Sequence, residues 1–413
     1  MTSASLSPQA LNRALLARQR LLARTPLSED TDRAAHVLRL VEHLAGLQAQ
    51  APFPPYYGLW SRLDGFRPDD LADLITGRRV VRIALMRGTI HLVSARDCLM
   101  FRPLLQPVLE QGLRTLLGRQ LKGVDTRALA VAGRALVEEK PRTFRELGEL
   151  LSASWPGHSA AWLAQGVRAL VPLIQVPPRA VWGQAGQALH TSAESWLGLP
   201  LDDEPSVDDL FERYLAAFGP ASVADAQAWS GLTRLREVAD RLRPRLRTFR
   251  DQAGAELFDL PDAPRPSPDA GAPVRLVAEF DNLILSHADR TRIISDAARK
   301  RIFTPNGIFP GTVLAGGFVA GMWRISRSRG SATLVIELFG PLSAGDRDAL
   351  ESEGELLLSF AAADAAERDI RYAPLALHPV RAAGLADGGG SPDQPRLATT
   401  ARAASLPGHL TGA

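Results

Sequence analysis

The sequence predicts an α+β fold, in which groups of helices alternate with β hairpins before a β-rich C-terminal region. Short amphipathic helix patterns recur along the first two thirds of the chain, and a β-rich run follows each group. A Pro-, Gly- and Ala-rich linker at 262–273 then separates the helices from apolar strands. Because 413 residues exceed what one hydrophobic core usually organises, we expect several domains.

The first predicted domain, residues 8–125, contains a full set of elements and further connecting helices. Residues 8–24 and 32–47 have helical apolar spacing, and a third helix starts after Pro68. Residues 80–93 then form two β-rich runs about a short turn that contains glycine. The order helix, helix, helix, hairpin is typical of a winged helix, whose recognition helix and β wing both approach nucleic acid.

The same order recurs twice, which predicts tandem winged-helix domains at 126–200 and 206–262. In the second domain, helices at 143–155 and 159–172 precede a Pro-tipped wing at 173–184. These repeats share a pattern and not a sequence, so ordinary helical hairpins remain an alternative for them. Hydroxyl or carboxylate side chains at helix starts predict N-caps at Asp32, Thr143 and Ser222.

The last predicted domain, residues 273–380, is a β-barrel-like domain or a twisted sheet with one helix at 349–362. Its apolar, Gly-containing runs predict strands within 274–286, 311–325 and 331–340. Residues 382–413 are of low complexity, which indicates a disordered tail without a catalytic function.

Composition favours a cytoplasmic protein. The longest strongly apolar run, residues 313–323, is too short to span a bilayer, so we expect no membrane association. The lone cysteine, Cys98, cannot form an internal disulfide, which suits a reducing compartment and a buried thiol. No heptad pattern for a coiled coil is present, and we expect a monomer.

The distribution of charge suits a nucleic-acid partner but does not prove one. The net charge is only +3, yet the cations are nearly all arginine, which binds phosphate through two parallel hydrogen bonds. They cluster at 234–250 and 290–301. A solvated helix face is the alternative interpretation of each cluster. From the first cluster we select Arg236, Arg243 and Arg247 as candidate DNA-binding residues.

Common catalytic signatures are missing from the sequence: no Walker loop, GxGxxG after a strand, GxSxG, HExxH or CxxC motif occurs. The eight histidines are scattered, so we expect neither a metal site nor a cofactor. Three stretches nevertheless stand out: GLQAQAP at 46–52, MRGTIHLV at 86–93 and EFDNLILSHADRTRII at 279–294.

Together these stretches resemble the AlkZ/YcaQ-type winged-helix-repeat DNA glycosylases over roughly residues 8–380. The resemblance implies tandem winged helices, a C-terminal β-barrel and excision of alkylated purines, in some members with interstrand crosslink unhooking. The family's catalytic motif is Gln, an aliphatic residue, then Gln or Asp. It implies that Gln48 and Gln50 are catalytic, with Ala49 smaller than the aliphatic residue usual in the family.

Physical chemistry makes two glutamines plausible for this reaction. An N7-alkylated guanine already carries a positive charge, so the base leaves without a general acid. An amide carbonyl can stabilise an oxocarbenium-like sugar and place a water molecule against C1′. Pro52 biases the preceding residue toward an extended conformation, in which residues two apart share one side. Both amides can then face one pocket.

Two further sets of residues are candidates for DNA contact. Alternation along a strand places Arg87, Thr89 and His91 on one side, where they could touch phosphate; stabilisation of the hairpin is the alternative. A polar stretch after a strand predicts a DNA-facing loop with His287, Arg290 and Arg292. We expect Asp281 and Asn282 to hold the turn before that loop.

The predicted partner is therefore duplex DNA that carries alkylated bases, and the predicted activity is that of a DNA glycosylase. A winged-helix transcription regulator would use the same helices and arginines without needing the two glutamines. A non-catalytic damage-binding protein would prefer lesions but release no base. Both classes remain alternatives at this point.

Overall fold

The computed structural model describes residues 5–28, 32–303 and 309–374. Within these ranges the α helices are α1 (Pro8–Arg18), α2 (Arg33–His43), α3 (Pro54–Trp60), α4 (Pro68–Thr76), α5 (Ala95–Leu104), α6 (Gln106–Leu117), α7 (Thr126–Glu139), α8 (Phe144–Ser152), α9 (Ala160–Leu170), α10 (Ala193–Leu197), α11 (Val207–Phe218), α12 (Val223–Ser230), α13 (Leu235–Leu242), α14 (Asn282–Leu285), α15 (Asp296–Ile302) and α16 (Ala344–Ala361). Short 3₁₀ turns occupy Met86–Gly88 and Arg243–Arg245.

The strands are β1 (Ser5–Leu6), β2 (Thr25–Pro26), β3 (Leu47–Gln48), β4 (Leu63–Asp64), β5 (Val80–Ala84), β6 (Ile90–Ser94), β7 (Leu173–Gln175), β8 (His190–Ser192), β9 (Arg247–Asp251), β10 (Glu256–Asp259), β11 (Arg275–Val277), β12 (Gly311–Ala315), β13 (Phe318–Ser328), β14 (Ser331–Leu338) and β15 (Glu367–Tyr372). The mixed α+β class predicted from the sequence is confirmed. The tail predicted at 382–413 lies outside the described residues.

Local sequence explains where many helices begin. The three predicted N-caps are confirmed: the side chains of Asp32, Thr143 and Ser222 accept hydrogen bonds from backbone N–H groups at the starts of α2, α8 and α12. Thr143 and Ser222 also form reciprocal capping boxes with the acid three residues later. Each cap satisfies amide groups that a helix would otherwise leave unpaired.

One sheet joins the first two groups of helices. Its strand order is β3-β6-β5-β7-β8, and all of the pairings are antiparallel. The hairpin β5–β6 follows α2, α3 and α4, whereas β7 and β8 follow α7, α8 and α9. The contact between β5 and β7 places Ile83 opposite Ile174, and both side chains are fully buried. The two helical groups therefore share a continuous sheet.

The third group of helices, α11, α12 and α13, ends in the hairpin β9–β10. The N-terminal helix α1 packs against α11 of this group. Its Arg18 donates to both carboxylate oxygens of Asp259, at 2.7 and 2.9 Å, and β1 pairs in parallel with β9. Residues near the start of the chain thus stabilise a unit more than 200 positions away.

The C-terminal sheet is open, so of the two predicted forms, a β-barrel-like domain and a twisted sheet, the described residues do not form a closed barrel. Its strand order is β11-β12-β13-β14-β15, with β11 and β15 at the two edges. The last strand joins β14 in parallel after α16, and this helix packs on the sheet. A helix that covers one face of a sheet buries its apolar side chains without the strand closure that a barrel requires.

The segment predicted as a strand at 274–286 is shorter in the structure, because the chain turns after Val277. Phe280 has a left-handed backbone, with φ of +58°. Asp281 then caps α14 by accepting a hydrogen bond from the N–H of Leu283 at 2.9 Å. The expectation that Asp281 holds this turn is confirmed. In the described part of the chain, no helix has both the length and the apolar character needed to cross a membrane.

We predict that Asp259→Ala strongly lowers the stability of the third helical group. The Arg18 and Asp259 side chains have no exposed surface, and removal of the acid leaves a buried guanidinium without its main partner. We expect a loss of about 3–5 kcal/mol in the free energy of unfolding, measured by chemical denaturation. The control is Glu149→Ala, which breaks an exposed pair with Arg145 and should change stability little. Equal shifts in the two variants would contradict a dominant buried pair.

Candidate active site

The GLQAQAP segment leaves α2 through a tight turn and enters the first sheet at its edge. Gly46 adopts φ of +91°, which an L side chain rarely adopts. In β3, Leu47 lies opposite Leu92 and Gln48 lies opposite His91. The backbone is therefore extended at 47–49, but it bends at 50–53, so the extended conformation predicted for the whole motif is formed only in its first part.

The β-ladder ends at Ala49, where side chains replace backbone partners. The N–H of Ala49 donates to the carbonyl of Ile90 at 2.7 Å, which continues the ladder. The carbonyl of Ala49 instead accepts from the Arg82 guanidinium at 2.6 Å. The N–H of Ile90 donates to the side-chain Oε1 of Gln50 at 3.3 Å. This exchange releases Gln50 from the sheet and leaves its side chain exposed.

Arg82 is a buried cation behind the motif. Besides Ala49, it donates to the carbonyl of Ala51 at 3.3 Å, so one guanidinium holds both sides of Gln50. Burial, with a further contribution from Arg179, lowers the pKa of Arg82 to about 9. The sequence analysis missed Arg82. Its signal was a lone cation in the apolar strand VVRIA.

Gln48 is buried, and its amide oxygen is already engaged. Nη2 of Arg87 donates to Oε1 of Gln48 at 2.7 Å and to Oδ1 of Asn282 at 3.0 Å. Nη1 of Arg87 donates to the carbonyl of Trp229 at 2.7 Å. Arg87 therefore links Gln48 to the third helical group and to the first residue of α14.

The hairpin that carries Arg87 is electrostatically unusual. Burial, followed by the nearby charge of Arg290, lowers the pKa of Arg87 to about 10. Burial and then Arg87 lower the pKa of His91 to about 3, so this imidazole is neutral near pH 7. Its Nδ1–H donates to the carbonyl of Thr89 at 3.1 Å. His91 thus provides uncharged packing beneath the motif.

Gln48 opens onto a cleft between the first sheet and the start of the C-terminal sheet. The cleft is narrow, with free space for about one water molecule. Its lining residues are Gln19, Leu44, Gly46, Leu47, Gln48, Pro54, Gly58, Arg62, Phe218, Ala278, Glu279, Asp281 and Asn282. Gln50 does not line it, so the expectation that both amides face one pocket is wrong. Arg62 donates to both carboxylate oxygens of Asp281 at 2.8 and 2.9 Å, and to the amide of Gln19 at 2.9 Å. One wall of the cleft is therefore the ion pair of Arg62 and Asp281, in which both carboxylate oxygens accept hydrogen bonds.

Glu279 is the second acid of the cleft, and the sequence analysis gave it no role, although it begins one of the three selected stretches. Burial raises the pKa of this carboxyl group. In the part of the chain that the structure describes, no hydrogen bond or ion pair engages its side chain. The pattern EFDN predicts a turn at Asp281 and Asn282, but nothing in it indicates a role for Glu279.

The stretch after α14 points mostly inward. His287 is buried, with Nε2 at 3.1 Å from the carbonyl of Phe218. Arg292 is buried too; it donates to the carbonyl of Pro220 at 2.6 Å and contacts Asp225 at 3.5 Å. The expected DNA-facing loop is thus not formed by these two residues in this structure, because the stretch packs against the third helical group. Arg290 is half-buried and lies 4.7 Å over the ring of Phe303.

The other candidate DNA-binding residues lie at or near the surface. Thr89 is half-buried, and its hydroxyl donates to the carbonyl of Met86 at 3.0 Å. Arg236 and Arg243 share the carboxylate of Glu256, whose pKa falls to about 2 chiefly through its hydrogen bond with Arg243. Arg247 is exposed at the start of β9. Among the described residues, no ion pair engages Arg247, in contrast to Arg236 and Arg243.

Two expectations about reactive side chains can be compared with the structure. Cys98 is a buried free thiol, as predicted, and burial raises its pKa to about 12. Among residues 5–28, 32–303 and 309–374, no cluster of three or more His, Cys, Asp or Glu side chains is arranged to hold a metal ion.

We predict that Gly46→Ala distorts the motif. A Cβ atom there would lie 2.6 Å from Cγ1 of Val93 and 3.1 Å from the carbonyl oxygen of Leu92. Gly123→Ala is the matched control, since Gly123 has φ of +88° but open space around it. Both variants share the backbone strain, so their difference reports the clash alone. We expect thermal unfolding to show Gly46→Ala less stable by about 1–3 kcal/mol more than the control. Equal destabilisation would show that the loop yields freely.

Comparisons with known proteins agree with this geometry. Residues 41–360 match the family model described as DNA glycosylase AlkZ-like. The structure is similar to that of the Streptomyces sahachiroi DNA glycosylase AlkZ, with a TM-score of 0.72 and 18% sequence identity over 89% of this chain and 100% of that chain. A search of curated protein sequences gave no significant match. Because the family model covers most of the sequence, the chain belongs to the AlkZ-like DNA glycosylase family.

Proposed function

We propose that the protein releases cationic N7-alkylpurines from duplex DNA by hydrolysing the N-glycosidic bond. The observation that carries this proposal is the motif Gln48-Ala49-Gln50, in which Gln48 lines the cleft and Gln50 is exposed. Arg82 fixes the backbone of the motif, and Arg87 fixes its first amide. Fixed dipoles stabilise a transition state without the cost of reorganising during the reaction. An amide held in place in this way can position a water molecule against C1′.

The charge of the substrate explains why amides suffice. A base alkylated at N7 leaves as a neutral molecule, so the enzyme need not protonate it. Amides stabilise positive charge less than carboxylates do, and therefore favour substrates whose glycosidic bond is already weakened. No cofactor or metal enters the proposed reaction. Selectivity for cationic lesions then follows from the modest strength of the motif.

Exposure of Gln50 favours a broad range of lesion sizes. A side chain at the surface can act at a groove, so a bulky adduct need not enter a closed pocket. Purines carrying large alkyl groups, including interstrand crosslinks, belong to the same proposal, with base excision repair or resistance to a self-made toxin as the biological setting. A cytoplasmic monomer acting on chromosomal DNA fits these roles.

We also propose that residues 8–125, 126–200 and 206–262 are winged-helix domains that hold the duplex, and that 273–380 form the C-terminal domain. In each of the first three ranges, helices precede a β hairpin or strand pair. Arg247 at the start of β9 and Thr89 beside the motif are the accessible candidates for phosphate contact. Arg236, Arg243 and Arg290 would add positive charge around them.

We predict that Gln48→Ala and Gln50→Ala each lower the single-turnover rate of base release by about 100-fold or more, as loss of a transition-state hydrogen-bonding group does. The substrate is a duplex with one N7-methylguanine, and alkaline cleavage of abasic sites is the readout. The control is Gln111→Ala, an exposed glutamine of α6. A wild type that binds DNA but releases no base, from this duplex or from bulky and crosslinked ones, would leave a binding protein or a transcription regulator.

We predict that Arg247→Ala weakens binding of damaged and undamaged duplexes alike. Loss of one phosphate contact should reduce the slope of log K against log salt by about 1. Titration by fluorescence anisotropy at several salt concentrations measures this slope. Arg329→Ala, an exposed arginine between β13 and β14, is the control. An unchanged slope would remove Arg247 from the DNA interface.

A further inference from the structure

Glu279 lies two residues after the end of β11, at the edge of the cleft. It follows β11 and precedes the turn into α14, and it lines the cleft together with Gln48. The side chain is half-buried and borders the free space of the cleft. Within the described ranges, no protein group donates a hydrogen bond to its carboxylate.

Asp281, the neighbouring acid, differs from Glu279 because it has a cation partner. Asp281 lines the same cleft, but both of its oxygens accept from Arg62 at 2.8 and 2.9 Å. Among the described residues of the cleft lining, Glu279 is thus the carboxylate without a cation partner. Buried carboxylates are ordinarily paired, since removal of charge from water is costly. An unpaired one at a reaction site indicates a group held ready for a charged ligand.

The surroundings of Glu279 preserve this unpaired state. Burial is the cause that raises its pKa, and the nearby phenol of Tyr57 has a pKa raised to about 12 by burial and then by Glu279. The arginine of the cleft, Arg62, is occupied by Asp281. The left-handed backbone of Phe280, with φ of +58°, turns the chain between the two acids. Such sparsely populated conformations cluster at functional sites.

The oxygen of Gln48 already accepts a hydrogen bond, which limits how well this side chain can stabilise positive charge on the sugar. Its carbonyl oxygen accepts from Arg87, a cation, so its capacity to stabilise a developing positive charge on the sugar is partly used. Gln50 also has its oxygen engaged, at 3.3 Å from the N–H of Ile90. A negative charge in the same cleft would act on the sugar much more strongly than either amide dipole.

We propose that Glu279 is a catalytic carboxylate of the base-release reaction; this inference rests on the proposed function. The bond between C1′ and N9 breaks, and its electron pair passes to the cationic N7-alkylpurine, which leaves as a neutral base. Glu279 faces the positive charge that develops on the sugar. A water molecule bonds to C1′ through its oxygen, and its proton passes to the Glu279 carboxylate and then to solvent. The product is an abasic site.

The test is Glu279→Gln, which keeps the shape of the side chain and removes its charge. We expect the single-turnover release of N7-methylguanine to fall by about 10²–10³-fold, while the Kd for the same duplex stays within about twofold. We expect the Tm to stay equal or rise, because a desolvated charge is removed. Glu355→Gln, an exposed acid of α16, is the control and should match the wild type in all three measurements.

Glu279→Ala provides a second test if Glu279→Gln folds poorly. Glu279→Ala should lose the same activity and regain at least about tenfold of it when formate is added, because the small anion can occupy the vacated space. A merely structural glutamate would show a lowered Tm and no rescue, which would overturn the proposal, as would a Glu279→Gln rate within twofold of wild type. A wild type that releases no base would instead overturn the proposed function and this assignment together.

Discussion

The arrangement of the cleft depends on one guanidinium, that of Arg87, which has no carboxylate among its described partners. Its hydrogen bonds run to Gln48 in the first sheet, to Trp229 in the third helical group and to Asn282 at the start of α14. Those partners are far apart in the sequence but meet at one side chain. Because a buried cation must keep its acceptors, the three parts of the molecule are held in one relative position around the motif.

Charge is distributed unevenly around this point, and the imbalance serves the chemistry. Arg82 is a buried cation and Arg87 a half-buried one, and both donate to neutral carbonyl groups, whereas Glu279 is a carboxylate without a cation among the described residues. A fold selected for stability alone would pair such groups. In the proposed reaction the cations fix the motif and suit nearby phosphates, while the acid is free to face a positively charged lesion. Functional sites often carry such costs, which the rest of the structure offsets.

Local features of the fold could be predicted from the sequence, since they depend on neighbouring residues. Helical periodicity located α2, α4 and α16, and the N-cap of α2 followed from Asp32 alone. The end of α2 at Gly46 also followed from the sequence, whereas the bend at 50–53, which turns Gln50 away from the strand, did not. Contacts between distant parts could not be predicted: burial of His287 and Arg292 depends on packing against the third helical group. The role suggested for Glu279 and the open form of the C-terminal sheet depend on tertiary arrangement in the same way.

The most direct measurement compares two lesions in one duplex sequence, N7-methylguanine and hypoxanthine, under single-turnover conditions. The first base is cationic before the reaction, and the second is neutral and requires protonation to leave readily. If the motif relies on the charge of the substrate, the enzyme should release N7-methylguanine at least 100-fold faster, corresponding to about 2.7 kcal/mol or more of activation free energy. Comparable rates for the two bases would contradict this mechanism and would require a general acid in the cleft.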